Sequence, residues 1–119
     1  MNFLKKLRAK SVVRNVEYHK GKTQKKNLEE LLFRATELAG ESGEVCDAIK
    51  KYARGQRNMS GGKSEKESIF AIQEELADTL ICVERVAEFF DLDLEKITKL
   101  KFNATSKKRG FKTKFASYE

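Results

Sequence analysis

Apolar residues recur along most of this chain with a helical rather than an alternating period. From Asn27 to Arg54 they stand at Leu28, Leu31, Leu32, Ala35, Leu38, Ala39, Val45, Ala48, Ile49 and Tyr52, mostly three or four apart, which marks one face of an α-helix. The segment reads as one long helix. Gly40 and Gly43 are unfavourable guests inside it, because glycine gives up more backbone freedom than alanine on becoming helical. A second series runs through Ile69, Ile72, Leu76, Leu80, Val83, Val86, Ala87 and Phe90. Ser64 with Glu67 forms a capping box ahead of it, and Asp91-Leu92-Asp93 ends it. Between the two series, Gly55 to Ser64 is polar, glycine-rich and aperiodic, as a surface loop between antiparallel helices should be. Asp93 and Lys96 flank the start of a further helix through Leu94, Ile97, Leu100 and Ala104. Residues 107–119 have little apolar content and are expected to lie as a basic tail, while Leu4, Leu7, Val12 and Val13 make a weaker helical segment at the other end. There is no proline anywhere, so long unbroken helices are the economical reading. The expected fold class is all-α, an antiparallel helical bundle in a single domain spanning 1–119.

Size and composition sharpen this picture. A lone domain of 119 residues buries only a modest core, so association of protomers is expected. No stretch approaches the roughly 20 apolar residues of a membrane-spanning helix, and the start Met1-Asn2-Phe3-Leu4-Lys5-Lys6 lacks a secretory apolar run. Cys46 and Cys82 sit in apolar helical patterns without a Cys or His neighbour at metal-ligand spacing, which suits thiols in a reducing compartment. A cytoplasmic protein with no membrane partner is expected, with Cys46, Cys82, Phe89 and Phe90 in its core.

The formal net charge of +7 points to an anionic partner: nucleic acid, an anionic membrane surface or a polyanionic small molecule. Basic residues concentrate at the two ends, among them Lys5, Arg8, Arg14 and Lys20 at one and Lys99, Lys101, Lys107 and Arg109 at the other, and the middle is acidic. This distribution fits a ligand whose phosphates meet a basic rim while a metal sits among central carboxylates. A basic helical nucleic-acid-binding or antitoxin-like interaction protein without catalysis is the alternative. It is weakened by the absence of a helix-turn-helix or zinc pattern, by little interleaving of basic and aromatic residues, and by acidic groups that repel a phosphate backbone.

At 100° per residue, Glu37, Glu41 and Glu44 fall within a sector of roughly 60° on one helix face. The next long helix carries Glu74, Glu75 and Asp78, the last two at i, i+3. If the helices pack antiparallel, oxygen ligands from both converge on one point, as in the carboxylate metal sites of helical bundles. Acidic residues at such spacings are common on solvated faces. These differ in being embedded among apolar residues, as in Glu37-Leu38-Ala39-Gly40-Glu41 and Glu75-Leu76-Ala77-Asp78, and Gly40 and Gly43 leave room beside them. Oxygen ligands without His or Cys suit Mg²⁺, with Mn²⁺ as a substitute, rather than Zn²⁺. No glycine-rich Walker sequence is present to cradle phosphates, so basic side chains must do so.

The run Glu37 to Val45, followed after the loop by Glu74-Glu75-Leu76-Ala77-Asp78, resembles the ExxE and ExxD motifs of the MazG-type, all-α nucleoside triphosphate pyrophosphohydrolases. Lys101-Phe102-Asn103-Ala104-Thr105-Ser106-Lys107 is similar to a segment of the shorter, phage-like or cassette-borne members. Together the likeness covers about Val13 to Phe115. It implies that Glu41, Glu44, Glu75 and Asp78 are metal ligands and that a nucleoside triphosphate, preferentially deoxy, is cut to the monophosphate and pyrophosphate. Gly40 stands where many members carry a second acidic residue, which leaves Glu37, Glu41 and Glu74 as candidates for proton transfer. The resemblance also implies a homodimer or a dimer-of-dimers tetramer with no stable nucleic-acid partner. Substrate binding falls to Lys99, Asn103 and Lys107, which share a helical stripe, with Lys101 and Arg109 nearby, and Tyr18 either stacks on the base or belongs to the core.

Overall fold

The computed structural model describes residues 2–119 and contains four helices: α1 (Phe3–Tyr18), α2 (Leu28–Gln56), α3 (Glu65–Phe89) and α4 (Leu94–Lys108). Each begins on a side-chain cap. Asn2, Asn27, Ser64 and Asp93 accept the backbone N–H of the residue three positions on, at 2.9, 2.9, 3.2 and 3.1 Å respectively, satisfying one of the donors that a helix start leaves free. The ends also share one device. Gly21, Met59, Leu92 and Phe111 donate back to Val16, Arg54, Ala87 and Ser106 at 2.8–2.9 Å. The residue before each donor, Lys20, Asn58, Asp91 or Gly110, turns left-handed with φ between 53° and 70°, which is the Schellman closure.

The antiparallel pair α2 and α3 forms the body, and α1 packs on α3. Arg8 from α1 donates both to Glu84, one of the most deeply buried side chains of the chain, and to the Leu92 carbonyl. This ties the weak N-terminal helix down by charge more than by apolar contact. α4 is joined to the body mainly at its first turn, where Asn2 donates to Glu95 and Lys5 lies 4.0 Å from Asp93. The result is an open shape of 49 × 46 × 26 Å with a radius of gyration of 17.9 Å, against about 13.5 Å for a compact domain of this length.

The expected core is therefore largely missing from the single chain. Among the described residues Ala48 and Ala87 are the buried apolar ones, while Leu28, Leu32, Leu76 and Leu80 stay exposed. Cys46 is exposed and Cys82 half-buried. Phe90 is exposed, and Phe89 is half-buried with the Arg34 guanidinium 5.5 Å from its ring centre. Both long helices carry apolar residues around more than one face, and one neighbour covers only one face. The tail differs from expectation too. The helix runs on to Lys108, and residues 111–119 fold back along α4. There the Asn103 amide donates to the Phe115 carbonyl at 2.9 Å and accepts its N–H at 2.8 Å, and Phe115 meets Phe102 edge to face at 5.1 Å.

Candidate active site

The long unbroken run of α2 stacks Glu37, Glu41 and Glu44 at successive turns, and α3 lays Asp78 and Glu75 alongside in the opposite direction. Carboxylate oxygens of Glu41, Glu75 and Asp78 all come within 4.8 Å of one another. Glu44 stands next to both Glu41 and Glu75, close enough for its carboxylate to raise the pKa of each. Among the described residues no lysine or arginine pairs with any of these four.

Uncompensated, two of these carboxylates, Glu41 and Glu75, hold on to protons. The hydrogen bond that the protonated Glu75 carboxyl donates to Glu44, then loss of water, then the charges of Glu44 and Glu41 push the Glu75 carboxyl up to about 7. Desolvation and the Glu44 charge raise Glu41. One oxygen of each, Oε2, is buried without a hydrogen-bond partner. Buried polar atoms are almost always satisfied, so two orphaned acceptors facing a third carboxylate fit a bound cation. The hard, all-oxygen donor set fits a divalent one of the Mg²⁺ or Mn²⁺ kind.

The cluster opens on one side into a cavity of about 540 Å³. Glu37, Glu41 and Asp78 form its acidic floor, and the end of α1 supplies a wall of Arg14, Asn15, Tyr18 and His19. Phe33 and Arg85 complete it from α2 and α3. Tyr18 lines this cavity and is 75% exposed. The Cys82 thiol also lines the cavity. Burial first, then the charges of Glu37, Glu41 and Asp78, push it up, which keeps it neutral.

Behind the cavity lies a charged network. Arg34, 4% exposed, donates to Glu30 at 3.0 Å, to Glu88 at 2.6 Å and to the Arg85 carbonyl at 2.7 Å. Arg85 reaches Glu30 at 3.4 Å, and Lys26 reaches Glu88 at 2.7 Å. Burial and the neighbouring Arg34 charge lower the Arg85 pKa. The sequence reading passed over Arg14, Asn15, His19, Arg34 and Arg85. A signal existed for two of them, since Arg34 directly follows the apolar run Leu31-Leu32-Phe33 and Arg85 lies between Val83 and Val86, positions where a charge needs a partner.

The α4 stripe is placed elsewhere. Lys99 lies 3.1 Å from Glu95 and donates to the Glu119 carbonyl, and Asn103 holds the tail. Both line a separate groove of about 650 Å³ between α4 and residues 115–119. Lys101, Lys107 and Arg109 are exposed and do not line the carboxylate cavity, and Glu74 is exposed outside it. A Cβ built at Gly40 or Gly43 would meet nothing within 4 Å, so within one chain neither glycine is required by a close neighbour.

Among the described residues no helix is long and apolar enough to cross a membrane. The family model described as the MazG nucleotide pyrophosphohydrolase domain matches residues 29–108, from the first turn of α2 to the end of α4, and leaves α1 outside. No curated protein and no solved structure matches the chain. With both carboxylate motifs inside the matched span and their side chains converging across α2 and α3, the chain belongs to the MazG nucleotide pyrophosphohydrolase family.

Proposed function

We propose that this protein is a Mg²⁺-dependent pyrophosphohydrolase that cuts nucleoside or deoxynucleoside triphosphates to the monophosphate and pyrophosphate, clearing unwanted nucleotides from a cytoplasmic pool. The observation that carries the proposal is the unpaired carboxylate cluster opening into a cavity with an aromatic and basic wall. Glu41, Glu44, Glu75 and Asp78 would hold the metal. When bound, a divalent ion offsets triphosphate charge and lowers the pKa of a water. Glu37, one turn from Glu41 on the cavity floor and without a cationic partner among the described residues, takes the proton of the attacking water. Glu41 shares that floor and is the second candidate. Glu74, outside the cavity, is the weakest of the three. Tyr18 stacks on the base, and Arg14 and Arg85 face the ligand's negative charge.

The active protein is a homodimer or a dimer of dimers. The open shape, and the exposed Leu28, Leu32, Leu76 and Leu80 on the two long helices, support this, since a second copy can bury what one chain leaves bare. In such an assembly the Lys99, Asn103 and Lys107 stripe, with Lys101 and Arg109, serves as a phosphate-binding element by reaching a neighbouring copy's cleft.

A screen of all ribo- and deoxyribonucleoside triphosphates with Mg²⁺, reading pyrophosphate and orthophosphate separately, tests the proposal. Pyrophosphate release without orthophosphate is expected. Orthophosphate release, or metal binding with no hydrolysis of any nucleotide, would reject it. The net charge of +7 favours the second reading, nucleic-acid binding without catalysis, and salt-sensitive DNA retention in metal-free buffer would support that instead.

A further inference from the structure

The carboxylate cluster has a second open side. Away from Tyr18, toward the end of α2 and the start of α3, lies a recess of about 310 Å³ lined by Glu44, Asp47, Lys51, Lys63, Ser68 and Glu75. Glu44 and Glu75 therefore border the recess while Glu41 and Asp78 border the larger cavity. The metal-binding carboxylates stand between the two spaces.

Two lysines are brought together at the far wall of this recess. Lys51 bends one turn back along α2 to Asp47, at 2.8 Å, and lines the recess together with Glu44. Lys63 comes from the loop, and its backbone N–H donates to the Lys51 carbonyl at 3.2 Å. That closure depends on two glycines. A Cβ at Gly55 would lie 2.0 Å from the Lys63 carbonyl oxygen, and one at Gly62 would lie 2.3 Å from the Gly55 nitrogen. The chain thus accepts two conformationally loose residues to hold Lys63 against the end of α2. Among the described residues no carboxylate lies within salt-bridge distance of the Lys63 ammonium. Ser68, 1% exposed, adds a hydroxyl with no hydrogen-bond partner.

We infer that this recess is the subsite for the pyrophosphate end of the substrate, with Lys51 and Lys63 facing the terminal phosphates and the Ser68 hydroxyl donating to one of their oxygens. The inference rests on the pyrophosphohydrolase reading and gives it a direction. The nucleoside lies toward Tyr18, the bond to be cut lies over the carboxylates, and the two products leave from opposite sides. Lysine suits this role, because a terminal diphosphate presents several oxygens to a mobile point charge.

The test measures binding of each product to the full chain with Mg²⁺ by calorimetry at fixed ionic strength, using inorganic pyrophosphate and a nucleoside monophosphate as separate probes. Lys63→Ala, an exposed loop change, is expected to weaken pyrophosphate about tenfold, the loss of one charge-assisted contact, and to leave the monophosphate within twofold. Lys63→Arg should retain most of the affinity. Tyr18→Ala should show the reverse selectivity. If Lys63→Ala and Lys51→Ala both bind pyrophosphate within twofold of a wild type that hydrolyses triphosphates, the subsite is wrong and the function stands. A wild type that neither hydrolyses triphosphates nor binds pyrophosphate would overturn both.

Discussion

The shared proton at Glu75 makes metal binding strongly pH-dependent. With its carboxyl pushed up to about 7, Glu75 is half protonated at neutral pH, and a cation must displace that proton to use the oxygen. One competing proton with this pKa weakens apparent affinity by the ratio of 1 + 10^(7−pH) values, so a drop from pH 8 to pH 6 costs about tenfold. Proton release per bound ion should be about 0.9 at pH 6, about 0.5 at pH 7 and about 0.1 at pH 8. Titration calorimetry with Mn²⁺ in buffers of contrasting ionisation enthalpy reads both quantities. Toward more acid pH the raised Glu41 carboxyl should make the fall steeper. An affinity constant within twofold from pH 6 to pH 8, with no proton release, would refute the shared-proton account of the cluster.

The same shift fixes the sign of the stability profile. An ordinary glutamate ionises near 4.5, so between about 4.5 and 7 the folded, metal-free protein holds more protons than the unfolded chain. Stability from this source is fully present below the window and is lost as pH rises through it. The melting temperature of metal-free protein should therefore fall from pH 5 to pH 7.5, and saturating Mg²⁺ or Mn²⁺ should abolish the fall. A melting temperature that rises over this range without metal would contradict the assignment.

Glu41→Gln, Glu44→Gln, Glu75→Gln and Asp78→Asn should each remove most hydrolysis while leaving the helical circular dichroism intact, and Glu75→Gln should raise the metal-free melting temperature at pH 7.5. Near-wild-type turnover in any two of the four would defeat the ligand set. Arg34→Ala should destabilise by about 2–3 kcal/mol in denaturant titration, because Glu30 and Glu88 lose their buried partner and keep only Arg85 and Lys26; a loss under about 1 kcal/mol would mean water replaces the guanidinium. Asn103→Ala should free the tail, seen as faster proteolysis within residues 109–119 at unchanged helix content, and should also lower activity, whereas Lys112→Ala and Lys114→Ala should be nearly silent. Equal small activity losses in all three would leave only bulk charge as the role of this region. Light scattering should give a multiple of the protomer mass at micromolar concentration, and a monomer across a wide range would reject the oligomer.

Elements that depend on local chemistry were legible before the fold was known. The three-and-four spacing of Leu28 to Tyr52 and Ile69 to Phe90 specifies a helix whatever it packs against, and the caps at Ser64 and Asp93 act within three residues of themselves. Helix ends were less legible because Lys20, Asn58 and Asp91 take the left-handed conformation at which glycine is the usual marker, and only Gly110 advertises it.

The carboxylate faces were also determined locally, since i, i+3 and i, i+4 spacing aligns Glu37, Glu41 and Glu44, and likewise Glu75 with Asp78, on any α-helix. Which of them meet depends on the rotation and register of α2 against α3, and that is decided by packing over the whole interface. It brings Glu75 into the cluster and leaves its neighbour Glu74 in solvent. The tertiary structure alone set Tyr18 and Arg14 across the cavity from Glu41 and turned Asn103 toward Phe115, and it held Lys63 beside Lys51. Each of those contacts joins separate elements, and helical periodicity tells which face a side chain occupies without telling what stands opposite it.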